Sequence, residues 1–116
     1  MTLRELYDNV GGSYEDALSR LMSDSLIDRF IRKYPQDKSY TQLIEAAAEN
    51  DKELAFRAAH TLKGVAGDLG FSELAAAASE LTEQLRPQTE GPDTELVTRV
   101  TETHNRVIKG LERYCS

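Results

Sequence analysis

Apolar residues along the chain recur at steps of three and four rather than two, the period of a helix with one buried face. The pattern predicts an all-α protein. A first amphipathic stretch carries Tyr14, Ala17, Leu18 and Leu21, and a second carries Leu26, Ile27, Phe30, Ile31 and Tyr34 before Pro35 stops it. The Gly11-Gly12 pair separates both from a short N-terminal turn around Leu3, Leu6 and Tyr7. Ser39 followed three residues later by Gln42 has the form of a capping box and opens a helix with Leu43, Ile44 and Ala47. Asn50 and Glu53 repeat that form ahead of a longer helix that ends at Leu69-Gly70, where glycine can take the left-handed conformation. Ser72 caps the next helix, which carries Leu74, Ala78, Leu81 and Leu85 and closes at Arg86-Pro87. Beyond a polar loop from Gln88 to Asp93, the final helix shows Val97, Val100, His104, Val107, Leu111 and Tyr114. The expected fold is a four-helix up-and-down bundle with additional short N-terminal helices, residues 1–116 forming a single domain.

Charge and composition narrow the function classes. Fourteen Lys and Arg against twenty Asp and Glu give a formal charge of −6, the wrong sign for gripping a nucleic-acid backbone. No apolar run approaches the roughly 20 residues needed to cross a bilayer, and the segment after Met1 lacks the apolar stretch of a secretory signal. The expectation is a soluble cytoplasmic protein with no membrane partner. An acidic bundle with no second apolar stripe is most simply a monomer. Cys115, the single cysteine, stands next to the C-terminus, so no intrachain disulfide or cysteine metal cluster can form.

The two histidines read differently. His104 falls in register with valines and leucines, which places it in the core or at its margin, and no other His or Cys stands at ligand spacing to make a metal site with it. On the earlier helix, a turn of 100° per residue gathers Ala55, Ala58, Leu62, Val65 and Leu69 on the side away from His60. Within about 60° of His60 lie Glu53, Phe56, Arg57, Lys63, Gly64 and Gly67. His60 therefore faces solvent. Each interior glycine costs a helix about 1 kcal/mol relative to alanine, so Gly64 and Gly67 need a reason, and their place on the His60 face points to an open approach to the imidazole. Lys63 stands one turn away, where an ammonium could neutralise a phosphoryl group on His60. Phe56, with Arg57 and Gly67, suggests a face for a docking protein, because a large apolar residue on this side has no evident partner within the chain.

The run Ala59-His60-Thr61-Leu62-Lys63-Gly64-Val65-Ala66-Gly67-Asp68-Leu69-Gly70 resembles the signature of histidine-containing phosphotransfer (HPt) domains of two-component phosphorelays. The Gly11-Gly12 pair, the helix ending in Tyr34-Pro35 and the stretch from Leu74 to Leu81 are similar to the family's layout, so the likeness spans nearly the whole chain. It implies His60 as phosphoacceptor through its outer ring nitrogen, Lys63 as the residue that assists the phosphoryl group, and Gly64 as the residue that gives the partner room. Asp68 departs from the family, many of whose members carry an amide there. The resemblance also implies a polar residue on the following helix that bonds the imidazole; Thr82 fits by spacing, with Ser79 and Glu83 as alternatives.

The implied chemistry is in-line phosphoryl transfer between a receiver-domain aspartate and His60, the phosphoryl group coming from a response-regulator receiver or a hybrid sensor kinase. No carboxylate on the His60 face is an obvious general base. No cofactor is expected on this chain; Mg²⁺ is expected on the receiver, because the His60 face has no cluster of oxygen ligands. An autonomous kinase is excluded by the lack of a glycine-rich phosphate loop and of room for a nucleotide-binding domain. His60 leads into Thr61-Leu62-Lys63-Gly64, unlike the His-Glu-Leu-Arg-Thr-Pro run of a sensor kinase's dimerisation helix. The remaining alternative is a helical adaptor that binds through Phe56, Gly64 and Gly67 without chemistry.

Overall fold

The computed structural model describes residues 1–116. Seven α-helices and one 3-10 turn succeed one another: α1 (Leu3–Val10), α2 (Tyr14–Leu21), α3 (Asp24–Lys33), the 3-10 turn Tyr34–Gln36, α4 (Ser39–Ala48), α5 (Lys52–Asp68), α6 (Ser72–Leu85) and α7 (Thr94–Cys115). Helices α4 to α7 form the up-and-down bundle, each packed on the next and α7 closing back on α4. Short connections leave consecutive helices no geometry but antiparallel. The interface between α5 and α6 is the most extensive, with Ala55, Ala58, Ala59 and Ala66 buried on α5 and Ala77 and Ala78 buried on α6. Small side chains let two backbones approach closely. One buried cluster runs from Leu6 to Leu111, and every buried side-chain nitrogen and oxygen has a hydrogen-bond partner.

The expected N-terminal turn is a helix. Thr2 accepts from the Glu5 amide, and the Glu5 carboxylate accepts from the Thr2 amide in return, a complete capping box. Leu6, Tyr7 and Val10 are buried, and α1 packs on α7 at Gly110. A methyl group built at Gly110 would lie 2.5 Å from Val10 Cγ1, so the glycine marks where the two helices cross. Nothing in the periodicity of α7 distinguished that position.

The Gly11-Gly12 pair joins two turns. Gly11 takes a left-handed conformation (φ 68°) that closes α1. Its carbonyl accepts from the Glu73 amide at 3.0 Å, and the Gly70 carbonyl accepts from the Ser13 amide at 2.9 Å. A side chain at Gly12 would meet the Gly70 carbonyl at 2.6 Å. The α1–α2 turn is therefore sewn to the α5–α6 turn, and Tyr7 adds a bond from its hydroxyl to the Leu69 carbonyl at 2.6 Å. This joint holds α2 beside the C-terminal end of α5.

Three expected caps are corrected. Ser39 is the first residue of α4 and is buried; the cap position is Lys38, which makes no side-chain bond to the helix amides, and Asp37 before it accepts from the Ser39 amide at 2.8 Å. At α5 the cap is Asp51, which accepts from the Leu54 amide, while Asn50 takes a left-handed conformation (φ 54°) in the turn. Ser72 is the first residue of α6 rather than its cap, and Phe71 precedes it without a side-chain bond to the helix amides. Phe30 is also corrected: it belongs to the apolar stripe of α3 by spacing, yet it is 40% exposed, with Lys33 Nζ 5.8 Å from its ring centre.

Candidate functional site

Helix α5 carries the candidate site. Its buried arc comprises Ala55, Ala58, Ala59, Leu62 and Ala66, so packing against α6 turns the helix a little further than the wheel suggested and leaves Val65 half-buried. His60 projects outward and is exposed. A Cβ placed at Gly64 or at Gly67 would meet no heavy atom within 4 Å. Close helix packing therefore does not explain either glycine, and the approach to the imidazole is clear. A cleft of about 440 Å³ opens there, with His60, Lys63, Gly64 and Gly67 on one side.

The charges around His60 are arranged unevenly. Lys63 is half-buried and enters no ion pair. The nearby acid on α6, Glu83, is engaged by Arg86, whose Nε donates to both carboxylate oxygens at 3.1 and 3.2 Å and whose Nη2 donates at 2.8 Å. These bonds, with smaller contributions from Lys63 and His60, hold the Glu83 carboxyl below its usual range. Lys63 thus stands without an ion-pair partner on the His60 side of α5. Arg57 is exposed and paired with Glu53 at 2.5 Å.

Thr82 does not reach His60. It is fully buried, and its hydroxyl donates to the Ala78 carbonyl at 2.7 Å, one turn back on its own helix. Thr82 lies one residue, and so about 100°, away from the α6 face that looks onto His60. Glu83 occupies that face. Glu83 is one of the two alternatives the resemblance left beside Thr82, and it is close enough for the His60 and Lys63 charges to act on its carboxyl. Phe56 has partners within the chain after all: it is half-buried, Arg86 sits over its ring at 5.4 Å, and its ring centre is 6.1 Å from that of His60. Arg20 and Asp68, paired at 3.2 Å, close the far end of the cleft. Arg20 was not foreseen, since its helix and α5 are far apart in sequence.

A family model described as the Hpt domain matches residues 25–110, including the whole of α5 and α6. This chain is an Hpt-domain protein. Its role therefore lies in two-component phosphorelay, in which Hpt domains interact with receiver domains and kinases. No curated protein and no solved structure matches it. Helices α1 and α2 precede the matched residues, so the family match does not extend to Arg20.

The second histidine of this Hpt chain has a structural setting. His104 Nδ1 shares a hydrogen bond with the Tyr34 hydroxyl at 2.7 Å, and Tyr40 stacks on the ring with centres 3.7 Å apart. Burial, opposed by the Asp37 charge, pushes His104 down to about 4. It stays neutral at physiological pH and faces the 3-10 turn rather than the cleft. No helix is long and apolar enough to cross a membrane.

Proposed function

We propose that His60 is the phosphoacceptor of this Hpt protein and that the chain carries phosphoryl groups between receiver domains, or from a hybrid sensor kinase to a receiver, without kinase activity of its own. The observation behind this reading is the exposed imidazole with an unpaired lysine one turn away and bare backbone beside it. The family match supports a phosphorelay role.

In the forward step, the Nε2 lone pair attacks the phosphorus of a receiver aspartyl phosphate. The Nε2–P bond forms as the P–O bond to the aspartate breaks, the aspartate leaves as a carboxylate, and Nδ1 keeps its proton. No general base is needed. Transfer onward is the reverse step on another receiver. Lys63 offsets the charge of the transferring group, and Gly64 lets the receiver bring its aspartate in line. The Mg²⁺ of the reaction belongs on the receiver. Arg57 and Gly67 lie within the partner's footprint, and Phe56 backs the imidazole.

The test is the chemistry of the label. A phosphorylated receiver should label this protein at one site that is stable in alkali and lost in acid, as a phosphoramidate bond is. A label stable in acid would indicate a hydroxyl site, and one lost in both acid and alkali a carboxylate site; either would contradict the reading. A chain that binds the receiver unlabelled, and keeps its cellular activity as His60→Gln, would be the adaptor instead.

A further inference from the structure

We propose that Arg20 is a specificity determinant of the transfer reaction, a guanidinium fork that seats a carboxylate of the phosphoryl-exchanging partner at the end of the cleft opposite His60. This rests on the reading of His60 as a phosphoryl carrier. Arg20 lies on α2, outside the residues the family model matches, and the joint between the Gly11-Gly12 and Gly70 turns holds it against the cleft.

Its bonding leaves it available. Asp68 accepts a single bond from Arg20 Nη1 at 3.2 Å. No other hydrogen bond involves the guanidinium, so its Nε and Nη2 edge remains open for a bidentate carboxylate. The pair's side chains are 54% and 72% exposed, a setting in which an ion pair contributes little to folding. Its place on the molecule is better explained by what it presents. Between it and the imidazole, Gly64 and Gly67 contribute no side chains, so a partner surface can span both ends at once.

Charge selects the partner group. The chain carries −6 overall, yet the cleft holds two cations, Arg20 and Lys63, against the one carboxylate of Asp68. An acidic partner element is steered to this spot while the rest of the surface repels it. Asp68 is eight residues beyond His60, about 12 Å along the helix. Arg20 held there does not reach the phosphoryl group, so it acts on docking and leaves the chemical step alone.

The experiment compares two phosphoryl donors. One is the receiver domain of the same organism that charges the wild type fastest, itself charged with acetyl phosphate. The other is phosphoramidate, a small donor that needs no docking: its P–N bond breaks, the His60 Nε2–P bond forms, and ammonia leaves with the proton. With the receiver, Arg20→Glu should raise KM about tenfold or more and leave kcat within about twofold. Arg20→Lys should fall between, because an ammonium keeps the charge and lacks the fork. The KM difference should shrink at high salt, and phosphoramidate labelling should not change. Unchanged KM in Arg20→Glu would overturn the inference, as would a fall in kcat accompanied by slower phosphoramidate labelling. Failure of both donors to label wild-type His60 would instead remove the carrier reading itself.

Discussion

At the residue scale, the site depends on side chains that are present and on others that are absent. Lys63 contributes little to folding because it has no partner, so Lys63→Ala should leave stability in urea unfolding within about 0.5 kcal/mol of wild type. The same substitution should slow receiver-to-His60 transfer or shorten the life of the phosphohistidine by about tenfold, the effect of one well-placed charge. Rapid-quench kinetics would show this, and unchanged rates would remove Lys63 from the mechanism. Gly64 separates stability from function in the opposite sense. With open space around its Cα, Gly64→Ala should stabilise α5 by up to about 1 kcal/mol. Gly64→Gln should also stabilise the helix, yet obstruct the receiver and slow transfer; faster transfer by that variant would contradict the role assigned to the glycine. The placement of these two residues beside His60 was legible in the sequence because all three share one face of one helix; their roles remain the proposal. Thr82 was misplaced because the α6 face that meets His60 depends on how two helices are rotated against each other, and a repeat of three and four residues leaves that rotation loose by a residue.

At the scale of elements, the helices themselves were evident from the apolar period, whereas their starts were not. Ser39, Asn50 and Ser72 all have the chemistry of a cap, but Asp37 and Asp51 stand close to the first two and present a carboxylate to the helix amides. A carboxylate also gains from the positive end of the helix dipole, which sequence spacing alone does not weigh. The contact of α7 with the 3-10 turn leads to a pH dependence. His104 is held at about 4 when folded against an ordinary 6.5. Between those values the unfolded chain binds a proton that the folded chain refuses, so the contribution of a neutral His104 is present above about 6.5 and is lost as pH falls toward about 4. Urea unfolding at pH 7 and pH 5 should show a loss in wild type that is smaller in His104→Gln, whose amide can still meet the Tyr34 hydroxyl. Equal losses in the two proteins would place the titration elsewhere.

At the scale of the whole molecule, the N-terminal helices are what the sequence described least well. Gly110 has the appearance of a helical defect, yet it is where α1 crosses α7. Gly110→Ala would add a methyl 2.5 Å from Val10 Cγ1. Despite better helix propensity it should destabilise the protein by about 1–3 kcal/mol, the range for overpacking, and thermal unfolding would register it. A higher melting temperature would show that α1 yields without cost. The same N-terminal segment sets α2 against α5, so the far end of the cleft is built by Arg20 and Asp68, 48 residues apart, which no local motif reports. His60 and Lys63, one turn apart on a single helix, needed no such tertiary information.

The central claim is that a single imidazole on this chain takes up phosphate. The most direct measurement is ³¹P NMR of the protein charged by a phosphorylated receiver, in wild type, His60→Gln and His104→Gln. One phosphohistidine resonance is expected in wild type and in His104→Gln, and none in His60→Gln. A resonance that persists in His60→Gln would contradict the claim.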